Sequence, residues 1–324
     1  MNTIATIKEP VKTEMQDFEK AFVSSLYTDN PLLSSVNNYV LKGSGKKLRP
    51  ILVMLAAKIC GTVNEATILS AISLELLHTA SLIHDDVVDD TNERRGKESV
   101  NAKWTNKISI LSGDYMLSTA LYYATKTQIM GVLELISNIG RQLSDGELLQ
   151  LSNSDQIKTT EENYLKIIRK KTALLFSTCT EIGALSVNAT SEQRKALRCY
   201  GEYLGICFQM KDDIFDYFED ASIGKPTGND IRDGKLTLPL IYALRNTSGE
   251  HKKQIISWIK DKDFTEEHIH DILKFARDNN GIHYTQEQMT IYKNKAIAEL
   301  DIFPDSDIKE ALVQCAEFVM DRIN

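Results

Sequence analysis

Two clusters of aspartates are the residues of this sequence best suited to chemistry. Each has the spacing Asp-Asp-x-x-Asp, the first beginning at Asp85 and the second at Asp212. On a helix, the first and last members share one face, about 6 Å apart along the axis. Clustered carboxylates destabilise a helix, most of all near its C-terminal end, so a cation must offset their charge. Oxygen ligands without His or Cys suit Mg²⁺, which shares its coordination with water and substrate phosphates.

Basic residues lie near both clusters and suit phosphate binding. Arginine forks and lysine point charges are the donors that bind phosphate oxygens. The stretch 43–50, which contains two glycines, lacks the Walker spacing GxxxxGK[ST], so no nucleotide-binding P-loop is predicted there. The interpretation is a cavity in which facing carboxylates bind a diphosphate through magnesium; the alternative is a pair of solvated acidic helix ends. The basic residues are Lys46, Lys47, Arg49, Arg94, Arg95, Lys170, Lys171, Lys225 and Lys235.

The elements that position these residues are predicted to be helices. The chain of 324 residues has only 16 glycines and 6 prolines, which leaves little room for many short strands. Segment 65–90 is apolar on almost every side until its last turn, as is typical of a helix enclosed by other helices. Residues 1–30 are expected to form one helix with loose ends. Further helices are expected at 108–127, 131–152, 161–187 and 191–220, and a turn-rich loop at 221–235.

Composition excludes several classes of protein. The net charge of −7 argues against a nucleic-acid partner. The five cysteines form no CxxC pair, which indicates a reducing cytoplasm rather than a disulfide framework or a zinc site. We expect no transmembrane span, because no stretch reaches 18 consecutive apolar residues. With no repeat or linker-like shift in composition, the sequence predicts one all-α domain over residues 1–324.

Several stretches of the chain carry a family resemblance. They are GSGKKLRP, LLHTASLIHDDVVDDTNERRGK, SGDYM, KKTALLF, FQMKDDIFDY, GKPTGNDIRDGKLTLPLI and FPDSDIKEALVQCAEFVMDRI. Together they resemble the trans-isoprenyl diphosphate synthases, or polyprenyl synthetases, although Ser44 stands where that family commonly has glycine. The resemblance implies the isoprenoid synthase fold, a helical bundle around a central cavity. It also implies a homodimer, with heteromeric assembly as the alternative.

The resemblance implies a role for each matching residue. Asp85, Asp89 and Asp212 would coordinate more than one Mg²⁺ ion on an allylic diphosphate, with Asp86, Asp213 and Asp216 as direct or indirect ligands. Arg94, Lys171, Lys225 and Lys235 would hold the same diphosphate, whereas Lys46, Arg49, His78 and Arg95 would hold isopentenyl diphosphate. Thr172 and Gln209 would direct their oxygen dipoles at the allylic carbon. His84, next to the first cluster, is expected to face away from the metals into helix packing.

The implied reaction is the head-to-tail condensation of isopentenyl diphosphate with an allylic primer. Ala80 and Ser81 are small, where short-chain members commonly place an aromatic stopper, and DDVVD lacks the two-residue insertion of many short-chain members. Because only small side chains leave a passage in a packed interior, we expect an all-trans product of about six to ten isoprene units (about C30–C50). Such a product suits a quinone side chain and would be delivered to a membrane. The alternatives are a farnesyl or geranylgeranyl diphosphate synthase, a class I terpene cyclase and a non-catalytic regulatory subunit.

Overall fold

The protein is built of α-helices, as seen in a computed structural model. The structure describes residues 3–43, 45, 47–94, 96–152, 159–218 and 227–321. In chain order, the helices are α1 (Ile4–Lys8), α2 (Lys12–Ser25), α3 (Pro31–Lys42), α4 (Leu48–Cys60), α5 (Glu65–Val88), α6 (Val100–Lys103), α7 (Asn106–Lys126), α8 (Met130–Ser152), α9 (Glu161–Ile168), α10 (Leu174–Ser186), α11 (Ser191–Phe215), α12 (Asn229–Arg232), α13 (Leu238–Asn246), α14 (Glu250–Asp261), α15 (Glu266–Asp278), α16 (Gly281–Ala298) and α17 (Asp307–Asp321). The all-α prediction is confirmed.

Two turns interrupt segments predicted as single helices, and a short hairpin follows α5. A 3-10 turn, Glu9–Val11, separates α1 from α2, because Pro10 has no N–H to donate within a longer helix. Strands β1 (Glu93–Arg94) and β2 (Lys97–Glu98) form a small antiparallel hairpin after α5. A π-helical turn, Arg169–Ala173, lies between α9 and α10, inside the segment predicted as one helix.

The chain divides into two compact units. The first comprises Met1–Arg141, Phe176–Cys199 and Leu300–Cys315, and the second comprises Gln142–Leu175, Tyr200–Glu299 and Ala316–Asn324. One domain over residues 1–324 therefore stays a prediction.

In the first unit, α5 is the central helix. Its N-terminus is closed by a capping box between Asn64 and Thr67, which satisfies backbone donors that the helix cannot pair by itself. Helix α7 packs along it, and the Ser73 hydroxyl donates to the carbonyl of Ala120 at 2.6 Å. Among the described residues, α5 alone has the length and hydropathy of a possible membrane span, and 56% of its most apolar window is buried. That burial is typical of a core helix.

Helix α10 approaches α4 closely at one glycine of the first unit. A Cβ atom on Gly183 would overlap the backbone carbonyl of Val53 and the side chain of Ala56. Every residue from Ile51 to Ala57 on α4 is fully buried. The absence of a side chain at Gly183 therefore sets how near the two helices lie.

In the second unit, α13 packs with α15, α16 and the short helix α9. The rings of Tyr242 and Tyr284 stack with their centroids 4.1 Å apart. The Tyr284 hydroxyl donates to the carboxylate of Glu161, 2.9 Å and 3.0 Å from its two oxygens. These contacts join α16 to α13 and to the first residue of α9.

Candidate active site

The first aspartate cluster closes the C-terminal end of α5. Asp85 lies in the last turn and is half-buried, whereas Val88 and Asp89 are exposed. The backbone N–H of Asp89 donates to the carbonyl of Asp85 at 2.8 Å, so helical geometry continues through the cluster. The spacing of four then puts Asp85 and Asp89 on one face. These two carboxylates suit an oxygen-liganded cation that keeps part of its water.

Asp86, between them in the chain, is buried and bound to protein. The Arg94 Nε donates to its Oδ1 at 2.7 Å, and the side chain of Asn101 donates to its backbone carbonyl at 3.3 Å. Burial raises the pKa of Asp86, and the Arg94 guanidinium offsets part of that rise. The hairpin of β1 and β2 thus carries Arg94 to the end of α5, where it pairs with Asp86.

His84 packs against α7, as expected. Its Nε2 lies 3.2 Å from the carbonyl oxygen of Ile110 and 3.3 Å from Oδ1 of Asp114. A side chain on Gly113 would overlap the imidazole ring. The SGDYM stretch therefore has a packing role, since its glycine and aspartate accommodate His84.

Two other predicted residues of the first unit are partly or fully enclosed. His78 is buried on α5, seven residues before Asp85 and hence on nearly the same face. Arg49, half-buried in the first turn of α4, has its guanidinium over the ring of Phe176, 5.4 Å from the centroid. The aromatic face holds a flat cation without neutralising its charge.

The second aspartate cluster closes α11 in the same manner. Asp212 is exposed and Asp213 is buried. The Tyr164 hydroxyl donates to Oδ2 of Asp213 at 2.5 Å, and the Gln209 Nε2 donates to its Oδ1 at 2.8 Å. The Thr172 hydroxyl in turn donates to Gln209 Oε1 at 2.6 Å. Burial raises the pKa of Asp213, although its hydrogen bonds from Tyr164 and Gln209 oppose the shift.

Asp216 caps a short helix. Its carboxylate accepts the backbone N–H groups of Asn229 at 3.0 Å and Asp230 at 2.9 Å, in the first turn of α12. Gly228, directly before that turn, has φ 74, a conformation that favours glycine. The carboxylate thus ties the end of α11 to the chain that follows the turn-rich loop.

The described lysines of the site pair with carboxylates in their own unit. Lys170 pairs with Asp145, Lys171 with Glu147 at 2.5 Å, and Lys235 with Asp233 at 2.9 Å. Lys170 and Lys171 belong to the π turn. Three further predicted residues, Lys46, Arg95 and Lys225, lie outside the described residues.

Sequence reasoning missed Tyr164 and Asp230. Tyr164 contacts a residue 49 positions away, so no local pattern marks it. The backbone carbonyl of Asp230 accepts the N–H of Lys235 at 2.6 Å, and burial raises the pKa of the Asp230 carboxyl group. The stretch GNDIRDGK contains it, and that motif was the available signal.

The donor chemistry fits magnesium bound together with a diphosphate. Among the described residues, no three His, Cys, Asp or Glu side chains are gathered closely enough to hold a metal ion by themselves. Mg²⁺ is usually bound by one or two carboxylates together with waters and substrate phosphates. The exposed and half-buried members of each cluster, all hard oxygen donors, match that mode of binding.

Known proteins are similar to this chain in sequence and in fold. The family model described as Polyprenyl synthetase matches residues 30–276. Over 321 residues, the chain is 33% identical to an octaprenyl diphosphate synthase of Haemophilus influenzae, covering 99% of this chain and 97% of that one. A polyprenyl synthase of Caulobacter crescentus CB15, solved with calcium and isoprenyl diphosphate, matches with a TM-score of 0.92 and 32% identity, over 99% of this chain and 98% of that one. A geranylgeranyl pyrophosphate synthase of Bacteroides thetaiotaomicron matches with a TM-score of 0.86 and 44% identity, over 99% of each chain.

Proposed function

The chain belongs to the polyprenyl synthetase family, and from that membership we propose that it condenses isopentenyl diphosphate with an allylic diphosphate to make a long all-trans polyprenyl diphosphate. The observation that carries the proposal is the similarity to an octaprenyl diphosphate synthase over 99% of the chain. The small residues Ala80 and Ser81, one to two turns before Asp85, agree with it. The product suits a quinone side chain and is delivered to a membrane.

The aspartates bind the metal in this proposal. Enzymes of this family use a divalent metal ion, here assigned as more than one Mg²⁺ held by Asp85, Asp89 and Asp212. Bound magnesium supplies Lewis-acid stabilisation of the leaving diphosphate. The neighbouring aspartates then serve their own contacts: Asp86 holds Arg94, Asp213 holds Gln209, and Asp216 caps α12.

The basic residues divide between two diphosphates. Cations held next to the leaving group stabilise the negative charge that develops on it. The allylic diphosphate is bound by Arg94, Lys171, Lys225 and Lys235. Isopentenyl diphosphate is bound by Lys46, Arg49, Arg95 and His78.

The bond changes follow from the charges. The bond between C1 of the allylic chain and the diphosphate oxygen breaks, and the isopentenyl double bond attacks that carbon. Thr172 and Gln209 direct oxygen dipoles at the developing positive charge. The proton that leaves afterwards goes to the released diphosphate. His84 is not placed to take it, because its Nε2 faces Ile110 and Asp114.

The protein is further proposed to act as a cytoplasmic homodimer with a single domain over residues 1–324. A heteromer with an accessory chain is the alternative. Measuring the molar mass of the purified protein in solution, with and without substrates, distinguishes the two.

Geranylgeranyl diphosphate synthesis is the alternative, and it is the activity named for the enzyme of Bacteroides thetaiotaomicron that is 44% identical to this chain. Incubation with magnesium, isopentenyl diphosphate and farnesyl diphosphate, followed by chromatography of the dephosphorylated products, separates the candidates. Long-chain synthesis yields products well beyond geranylgeraniol. Accumulation of geranylgeraniol alone supports the alternative, whereas cyclised hydrocarbons formed without isopentenyl diphosphate indicate a terpene cyclase.

A further inference from the structure

A chain of three hydrogen bonds connects Tyr164 to Thr172 within the second unit. It runs from the Tyr164 hydroxyl to Asp213, from the Gln209 side-chain amide to Asp213, and from the Thr172 hydroxyl to Gln209. We propose that Tyr164 and Asp213 are positioning residues that fix which atoms Gln209 and Thr172 present to the substrate. The inference rests on the proposed function, in which Thr172 and Gln209 face the allylic carbon.

The hydrogen bonds of this chain have a definite direction. Both carboxyl oxygens of Asp213 accept, Oδ2 from the Tyr164 hydroxyl and Oδ1 from the amino end of the Gln209 amide. The carbonyl end, Oε1, is then left for Thr172, and it lies 2.6 Å from the Thr172 Oγ1. Because Oε1 can only accept, the single hydrogen of the Thr172 hydroxyl is donated to it. Oγ1 therefore has only lone pairs left to present elsewhere.

This polarity matters where positive charge develops. Oxygen lone pairs that are already oriented stabilise a cation, because no dipole has to turn during the reaction. A primary amide is almost symmetrical in shape, so its hydrogen-bond partners alone decide which end points where. If Gln209 were reversed, its amino group would face Thr172, and the hydroxyl hydrogen would be free to point at the reacting carbon.

Tyr164 holds the anchor of this chain. Tyr164 and Asp213 are each 4% exposed, so water has little access to replace the phenolic hydroxyl. Without that hydroxyl, Oδ2 of Asp213 loses a donor in a buried setting, where an unmet acceptor is costly. The carboxylate is then expected to turn toward another donor and release Gln209.

The test is a double-mutant cycle of Tyr164→Phe and Thr172→Val. Losing a hydrogen bond to a charged group predicts that Tyr164→Phe lowers kcat about 10-fold or more. The KM for isopentenyl diphosphate should stay unchanged, because that substrate is assigned to other residues. If Tyr164 acts through Thr172, the double variant is no slower than Thr172→Val alone. The matched control is Tyr284→Phe, which removes a hydroxyl bonded to the Glu161 carboxylate in the same unit and should leave kcat as it is.

Two results overturn the inference. One is wild-type kcat in a folded Tyr164→Phe protein, and the other is losses that multiply in the double variant. If Tyr164→Phe does not fold, Asp213→Asn replaces it in the cycle, with the magnesium concentration for half-maximal rate as an added measurement. That substitution should lower kcat and leave the magnesium concentration for half-maximal rate unchanged. A higher magnesium concentration for half-maximal rate would contradict the positioning role. Wild-type protein that elongates no primer refutes the proposed function itself, independently of these variants.

Discussion

At the residue scale, each aspartate cluster contains accessible and enclosed carboxylates. Asp86 and Asp213, the second residues of the two clusters, are buried and bonded to protein partners. Asp89 and Asp212 are exposed, and Asp85 is half-buried. A helix turns by about 100° per residue, so adjacent aspartates necessarily face different surroundings. The paired motif thus contains both the proposed metal ligands and the carboxylates that hold neighbouring side chains.

Replacement of a proposed ligand tests this division. Asp85→Ala and Asp212→Ala should each lower kcat on the order of 100-fold or more, through lost transition-state stabilisation. The free energy of unfolding should not fall, since each change relieves repulsion between clustered negative charges. Steady-state rates with saturating magnesium and urea titrations measure the two quantities.

Asp17→Ala, on the exposed face of α2, is the matched control and should keep wild-type turnover. Its carboxylate lies 3.9 Å from the ammonium of Lys20 on an exposed surface, where such a pair contributes little. Near wild-type turnover in a folded Asp85→Ala protein would contradict the two-cluster assignment.

The division of basic residues predicts a substrate-specific effect. Arg49→Ala should raise the KM for isopentenyl diphosphate, and Lys235→Ala the KM for the allylic primer. A lost charge-assisted bond of this kind costs about 1.5–3 kcal/mol, or about 10- to 150-fold. Lys235→Ala should barely change stability, because the pair it forms with Asp233 is accessible to solvent. Equal effects of either variant on both substrates would show that one of these roles is misassigned.

Local spacing predicted the aspartates but not their partners. A helix of known period fixes how residues four apart are related, so the shared face of Asp85 and Asp89 follows from sequence alone. The contact of Tyr164 with Asp213 joins residues 49 apart and depends on how α9 and α11 pack. The pairing of Arg94 with Asp86 depends on the hairpin of β1 and β2. The strands of that hairpin consist of charged residues, so they have no alternation of apolar residues that would predict them.

At the scale of elements, two glycines differ in what surrounds them. Gly183→Ala should lower the free energy of unfolding by about 1–3 kcal/mol, because the added methyl group meets the backbone of α4. Gly140→Ala on α8 meets nothing within 4 Å and should raise stability by up to about 1 kcal/mol. Urea unfolding followed by circular dichroism compares the two. Equal destabilisation by both would mean that the approach of α10 to α4 is not what Gly183 provides.

Product length is also a property of an element, α5. Ser81→Phe should shift the products to farnesyl and geranylgeranyl diphosphate while the first condensation stays fast, because a ring fills space that a packed interior does not yield. Ala80→Phe should do the same, although Ala80 is fully enclosed and the variant is less stable. Ser81→Ala is the control, since the Ser81 hydroxyl donates to the His78 carbonyl within its own helix. Unchanged product length in a folded Ser81→Phe protein would place the passage elsewhere.

The long helices were predictable because burial leaves long apolar or periodically apolar stretches in the sequence. Segment 65–90, apolar on nearly all sides, is α5 (Glu65–Val88), and the expected helix over 191–220 is α11 (Ser191–Phe215). The points where predicted helices are interrupted were harder to predict. The single helix expected over residues 1–30 is divided at Pro10, and the segment 161–187 contains a π turn that leaves the apolar pattern nearly intact.

At the scale of the whole molecule, we predict that folding does not require a metal ion. Removal of divalent ions with EDTA should abolish turnover without changing the midpoint of urea unfolding. The described residues offer no cluster of ligands that holds an ion without substrate, in contrast to proteins whose folding is driven by metal binding. Activity should return on adding magnesium. A large loss of stability in EDTA would reveal a structural metal site.

The π turn has one further consequence, for how the chain tolerates insertions and deletions. Tyr164 and Thr172 are eight residues apart, and in an uninterrupted α-helix they would differ by about 80° in direction. A π turn absorbs one residue, which reduces that difference to about 20°. Both side chains can therefore reach α11, where Asp213 and Gln209 lie four residues apart on one face. Deleting one residue from Arg169–Lys171 would leave the two side chains seven residues apart on a regular helix, again about 20° apart in direction, so both contacts should survive. Adding one more helical residue there would instead rotate one of the two side chains by about 100°, away from its partner on α11.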